Sequence, residues 1–231
     1  MYSLLLSLLA WTWSGVMVPI ETHDTISNKN TYEIEVLSVS PRIVLFHNFL
    51  SAAECDHLIK ESKPHLKRSL VVNPLAEGSK LDDARTSSGM FFPGRGSDKT
   101  IAAIEARIAK LTMIPVENGE SIQVLHYLPG AEYKPHYDFF DPNTVGGAAC
   151  FNRGGQRLAS FIMYLHDTEE GGETIFPKAN IAVKPIKGSA VLFYNCLSNG
   201  KEDNLTLHGG APVIKGEKWI ATKWIRAAEF R

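Results

Sequence analysis

Beyond residue 40 the chain changes its hydrophobic period once. Pro41-Arg42-Ile43-Val44-Leu45-Phe46 is a short apolar run of strand type. Ser51-Ala52-Ala53-Glu54 forms a capping box that predicts a helix from there to about Ser62, ahead of Pro64. Ser97-Asp98 precedes TIAAIEARIAKLT, where Ile101, Ile104, Ile108 and Leu111 fall on one face; a second helix is predicted, ended by Pro115. After residue 120 the pattern becomes strand-like, with candidate strands at 121–128, 132–137, 158–166, 174–176, 181–183, 190–194, 205–209 and 219–225. Turn signals separate them at Pro129-Gly130, Gly171-Gly172, Lys187-Gly188 and Lys215-Gly216. Short strands in this number, with two helices before them, predict a mostly β protein with flanking helices (α+β). Its core would be a double-stranded β-helix, or jelly roll, with the N-terminal helices packed outside.

The start of the chain follows neither period. Met1–Ile20 carries no charge and 14 of its 20 positions are apolar, after which ETHDTISNKN turns polar. About 20 helical residues span a bilayer core of roughly 30 Å, while the small residues Ser14-Gly15 suit signal cleavage. Residues 1–20 are therefore expected to be a membrane anchor or signal segment and 21–40 a linker. The folded domain would run over 41–231, with helical support at 41–115 and the jelly-roll core at 116–231. Charge narrows the function: 24 Lys+Arg against 25 Asp+Glu excludes a protein built chiefly to grip nucleic-acid phosphates. Cys55, Cys150 and Cys196 are too few for a disulfide scaffold and too far apart for a zinc knuckle.

The candidate chemistry lies at strand ends. In a strand, residues i and i+2 share a face, so His136 and Asp138 can converge on one ion, with His208 a third ligand from a distant strand. Two His and a carboxylate make the facial triad of non-haem Fe(II) oxygenases, leaving positions open for a cosubstrate and O₂. Zinc hydrolases use the same residue types. Lys218, read alone, is a solvated turn lysine; beside a metal, a dicarboxylate cosubstrate would need one such fixed cation.

The segments Gln123–Tyr127, Tyr133–Asp138, Gly154–Arg157, Met163–Leu165, Glu170–Thr174, Ala182–Pro185 and Leu207-His208, through Lys218-Trp219 to Ile225, resemble prolyl 4-hydroxylases of the collagen, plant and viral type. These belong to the Fe(II)- and 2-oxoglutarate-dependent dioxygenases. The resemblance covers about 41–231 and is most similar to minimal algal and large-DNA-virus enzymes. It implies an enzyme hydroxylating C4 of peptidyl proline in proline-rich or collagen-like sequences, using Fe(II), 2-oxoglutarate, O₂ and ascorbate and releasing succinate and CO₂. By resemblance, His136, Asp138 and His208 are the iron ligands, and Lys218, Tyr127 and Thr174 hold 2-oxoglutarate. Arg157 sits at the catalytic centre, with Tyr133, Trp224, Arg85 and Ser87 on the peptide. Arg85–Gly89 matches a mobile loop that covers the substrate. Arg226 departs from the pattern, standing where an algal relative has histidine. The expected partners are a proline-rich peptide and a membrane reached through residues 1–20, with no nucleic acid and a monomeric enzyme. The expected location is the lumen of the endoplasmic reticulum or secretory pathway. The competing expectations are a related hydroxylase acting on lysine or on one proline of a folded protein, a non-catalytic jelly-roll binding module, and a zinc hydrolase.

Overall fold

The computed structural model describes residues 8–11, 17–20, 32–80 and 82–231. Leu8–Trp11 (β1) and Met17–Ile20 (β2) pair antiparallel. Glu33–Val39 (β3) and Arg42–His47 (β4) form a hairpin that leads into helix Ala52–Ser62 (α1). Lys67–Arg68 (β5), Val71–Val72 (β6), Ser79–Lys80 (β7) and Ser88–Phe91 (β8) precede helix Lys99–Thr112 (α2). Gln123–Tyr127 (β9) and Tyr133–His136 (β10) come before helix Val145–Phe151 (α3). The remaining strands are Arg157–Tyr164 (β11), Glu170–Gly171 (β12), Thr174–Phe176 (β13), Ile181–Val183 (β14), Ala190–Tyr194 (β15), His208–Gly210 (β16), Val213–Lys215 (β17) and Lys218–Arg226 (β18).

Two antiparallel sheets form the body: eight strands in the order β3-β4-β15-β11-β18-β9-β8-β5, and four in the order β10-β16-β13-β14. Strand alternation divides the core in two. Phe161 and Met163 of β11 and Leu192 of β15 join Leu58, Ile101, Ile104 and Ile108 beneath α1 and α2. Ile162, Tyr164, Val191 and Phe193, one position out of phase, meet Phe176 and Val183 between the sheets. With both faces covered, these strands read as continuous apolar runs. The predicted jelly roll with its two helices outside is the fold observed.

The helices begin at the predicted caps. The Ser51 hydroxyl accepts from the Glu54 amide at 3.2 Å, and the Glu54 carboxylate accepts from the Ser51 amide at 2.8 Å. Asp98 accepts from the Ile101 amide at 2.8 Å and from His57, which ties α1 to α2. The second helix stops at Thr112, where Met113 turns left-handed (φ 56), before Pro115 is reached.

Several boundaries are corrected. The linker expected over 21–40 contains β3, because Ile34 and Val36 alternate with Glu33 and Glu35 in a strand period and Ile34 packs on the helix-side core. The 41–115 half is more than helical support, since β4, β5 and β8 all join the large sheet. The strand expected at 205–209 starts only at His208; the Asp203 side chain caps a tight turn over Asn204–Thr206 instead. Helix α3, rich in small residues and without an apolar stripe, carries no period to predict it and is started by the Thr144 hydroxyl. The anchor or signal segment lies largely outside the described residues. Those described within it are strands, and no described helix is long and apolar enough to cross a membrane.

Ser51→Ala should lower unfolding free energy by about 1 kcal/mol, seen as a lower urea midpoint. Activity should be unchanged, because the cap lies across the sheet from the candidate site.

Candidate metal centre

β10 ends at His136, and β16, its antiparallel neighbour, begins at His208; the two are register partners. Asp138 follows two residues later. One nitrogen or oxygen from each of the three lies within 4.8 Å of the others, the one such cluster among the described residues. Tautomers follow from geometry. His136 Nδ1 lies 2.9 Å from the Lys134 carbonyl and His208 Nδ1 lies 3.0 Å from the Thr206 carbonyl. A carbonyl only accepts, so both Nδ1 atoms carry the proton and both Nε2 lone pairs are left for a metal. The Asp138 Oδ2 accepts from the Ser160 hydroxyl at 2.6 Å and from the Trp224 indole at 2.9 Å, leaving Oδ1 without a hydrogen bond. Burial would raise this carboxyl, but the two histidines, Arg157 and the Ser160 bond outweigh it and hold it ionised far below the usual carboxylate range. Burial and the neighbouring His208 lower His136, favouring the neutral imidazole that binds metal. The donor set fits a divalent iron.

A cavity of about 40 Å³ lies beside these ligands, lined also by Tyr127, Thr174 and Lys218. Lys218 is 2% exposed, faces Tyr127 across the β18–β9 register, and pairs with no carboxylate among the described residues. Burial pushes its ammonium down to about 8, opposed only by distant Glu173. A buried cation without an anion is costly unless a ligand supplies one. Tyr164 donates to the Thr174 hydroxyl at 2.8 Å, so the proton of Thr174 is free for a ligand in the cavity. A carbon substituent at Gly172 would come within 3.3 Å of Lys218 Cδ, so the bare glycine (φ +72) leaves room for the lysine stem.

A larger groove of about 660 Å³ meets this cavity at Arg85, Tyr133, Asp138 and Trp224, which line both. Tyr133 stacks on His136 with centroids 3.6 Å apart, and burial pushes its phenol up to about 12. Arg157 sits 3.9 Å over the Trp224 ring and makes a two-pronged pair with Glu120 at 2.6 and 2.9 Å. The departing residue Arg226 is also buried; it pairs with Glu120 at 3.1 Å and donates to the Cys150 and Gly155 carbonyls.

Thus the structure brings together His136, Asp138, His208, Lys218, Tyr127 and Thr174 in one cavity and Arg85, Tyr133, Trp224 and Arg157 at its mouth. Ser87 does not join them. Its buried hydroxyl donates to Ser69, and it lines neither cavity. Of the expected covering loop 85–89, Ser88 and Gly89 belong to β8, and Arg85, which lines both cavities, donates to Gln123 and the Leu70 carbonyl. Sequence reasoning missed Ser160, Tyr164 and Glu120. Ser160 had a signal, as a polar residue inside the apolar run LASFIMY.

Comparison with known proteins settles the family. Residues 122–226 match the model of the 2OG-Fe(II) oxygenase superfamily. Prolyl 4-hydroxylase 5 of Arabidopsis thaliana is 44% identical over 219 residues, covering 86% of this chain and 72% of that protein. Prolyl 4-hydroxylase 1 of the same plant is 47% identical over 208 residues, covering 83% and 71%. The chain belongs to the prolyl 4-hydroxylases. A viral collagen prolyl hydroxylase from Paramecium Bursaria Chlorella virus-1, solved with 2OG, superposes with a TM-score of 0.60 at 31% identity over 89% of this chain and all of that one. This hydroxylase is accordingly an Fe(II)- and 2-oxoglutarate-dependent proline dioxygenase that consumes O₂. The binding-module and zinc-hydrolase expectations are set aside.

Two outcomes follow from the site. Ser160→Ala should weaken Fe(II) binding about 10-fold or more in a metal titration, with the protein still folded. Because the Lys218 amine is charged below about 8 and neutral above it, 2-oxoglutarate affinity should be greatest below that pH and fall as pH rises through it. A Lys218→Ala protein should bind weakly and show no such fall.

Proposed function

We propose that this enzyme hydroxylates C4 of proline in extended, proline-rich peptides, the observation that carries this being the aromatic groove that opens onto Asp138. Phe91, Tyr137, Phe139, Phe140, Trp224 and Phe230 line it. Flat rings of this kind suit the pyrrolidine faces of a polyproline II strand, whose backbone needs no hydrogen bonds from within itself.

His136, Asp138 and His208 would hold Fe(II), which when bound supplies the oxidative chemistry coupling O₂ and 2-oxoglutarate to proline. The balance is peptidyl proline, 2-oxoglutarate and O₂ giving hydroxyproline, succinate and CO₂. The protein's own work is to place and shield these partners. Lys218 pairs with the far carboxylate of 2-oxoglutarate, and the Thr174 hydroxyl donates to it. Tyr127 packs its ring against the same ammonium, 5.3 Å away. Glu120 holds the Arg157 guanidinium over the Trp224 ring where the groove meets the cavity. Ascorbate is the reductant expected by kinship, and the enzyme is taken to act as a monomer. The uncharged segment 1–20 supports a place in the endoplasmic reticulum or secretory lumen, tethered to the membrane if that segment is retained.

The cover of the groove comes from β6, β7 and the turn between them. A carbon at Gly146 in α3 would collide with the Asn73 carbonyl and come within 3.0 Å of the Ala76 carbonyl. The turn therefore rests on α3 only because position 146 lacks a side chain.

Incubation with Fe(II), 2-oxoglutarate and ascorbate should add 16 Da to a polyproline or Pro-Ala peptide, with one succinate released per hydroxylation. His136→Ala, Asp138→Ala and His208→Ala should each abolish it. Modification of lysine peptides in place of proline would overturn the proposal. Gly146→Val should raise the peptide KM severalfold, about 1 kcal/mol of lost grip, while 2-oxoglutarate binding stays the same.

A further inference from the structure

Lys218 is the first residue of β18, and strand ends fray unless something holds them. What precedes it is a turn through Gly216 (φ +78) and Glu217. The residues on both sides of Lys218 converge on one side chain, His126 of the adjacent strand β9. His126 Nε2 lies 2.6 Å from the Glu217 carboxylate. Its ring stacks on Trp219 with centroids 4.0 Å apart and planes 18° from parallel. Trp219 is also the register partner of His126, beside the Lys218–Tyr127 pair. The Glu217 carbonyl in turn accepts from the Thr168 hydroxyl at 3.3 Å.

We infer that His126 and Glu217 are positioning residues for the cosubstrate cation. Side chains alternate along a strand, so gripping residues 217 and 219 on the helix-side face forces residue 218 onto the cavity face. A slip by one residue would aim the lysine away from the cavity and Trp219 into it. The clamp works from behind the sheet and touches neither metal ligands nor groove. The His126 side chain is 16% exposed and that of Glu217 43%, so a buried ring stacked on Trp219 is bonded to a carboxylate that reaches solvent; hydrogen bonds from His126 and Trp219 lower the Glu217 carboxyl although burial would raise it. Ser88, the register partner of His126 on β8, presents no charge to the pair. His166 is the other titratable group bearing on Glu217.

This inference rests on Lys218 as the partner of the far carboxylate, so the test separates the two. His126→Phe keeps the stack on Trp219 and loses the bond to Glu217; Glu217→Gln keeps the shape and loses the charge. 2-Oxoglutarate is titrated calorimetrically into each full-length variant loaded with Mn(II), with Lys218→Ala alongside. Both clamp variants should bind 2-oxoglutarate roughly tenfold more weakly. The KM for 2-oxoglutarate should rise to match, kcat at saturation should stay within about twofold, and peptide KM and Mn(II) affinity should be unchanged. If either variant fails to fold, Thr168→Val, which removes only the bond to the Glu217 carbonyl, should show the same effect at smaller size. Unchanged 2-oxoglutarate affinity with only a lower Tm would overturn the clamp. Unchanged affinity in Lys218→Ala would instead overturn the lysine reading on which the clamp depends.

Discussion

Ser160 and Trp224 face each other in the β11–β18 register, and both donate to the same oxygen of Asp138. These bonds fix which oxygen of the buried carboxylate is taken up, while the two histidines and Arg157, with the Ser160 bond, keep it ionised. The two strands therefore determine more than a local contact. Lys218, Ile220, Thr222 and Trp224 share one face of β18, so the pairing that sets the indole on Asp138 also sets the buried Lys218 ammonium three pleats away. Shifting β18 by one residue would replace Trp224 by Lys223 or Ile225 and dismantle the candidate metal centre and the Lys218 cavity together. The hydrophobic alternation of β11, with Phe161 and Met163 under the helices and Ile162 and Tyr164 between the sheets, makes that shift expensive.

The same strand shows how this chain treats two buried lysines differently. Lys223, on the helix-side face, is 2% exposed and paired to Glu105 of α2. Lys218, equally buried on the other face, has no such partner among the described residues. Burial lowers both ammonium groups, but only Lys223 has a close carboxylate acting against it. A fold that neutralises one lysine and leaves its neighbour uncompensated has kept an anion site open beside the metal ligands. An open anion site of that kind suits a dicarboxylate cosubstrate. It is visible in side-chain contacts and not in residue types.

This marks where sequence reasoning succeeded and where it stopped. The caps at Ser51 and Asp98 are local hydrogen bonds between near neighbours, so short motifs reveal them. β13, β14 and β15 are bounded by turn residues and were predicted to the residue. The i, i+2 spacing pointed to His136 and Asp138 together, although β10 ends at His136 and Asp138 reaches the cluster from the bend that follows. Ser160, Tyr164, Glu120 and His126 act through partners 10 to 91 residues away, and no spacing rule reaches that far. β3 was hidden because its glutamates alternate with isoleucine and valine, which reads as polar linker when averaged over a window. α3 was hidden because its small residues serve close approach and not a buried stripe.

Close approach is what brings the groove and the candidate metal centre together within one domain. The groove and the small cavity share only Arg85, Tyr133, Asp138 and Trp224. Three of these are planar groups packed on one another or on neighbours, with Arg85 lying 4.8 Å over Tyr133 and Arg157 lying 3.9 Å over Trp224. Most of these planes are tied by a second bond, Arg85 to Gln123, Arg157 to Glu120 and Trp224 to Asp138, while Tyr133 is held by its stack on His136. A long flexible side chain would have to order several torsions, at roughly 1 kcal/mol or more in all, to pass between such planes. Proline, already rigid, would pass at the least entropic cost, and the Trp224 indole that borders the opening also donates to Asp138.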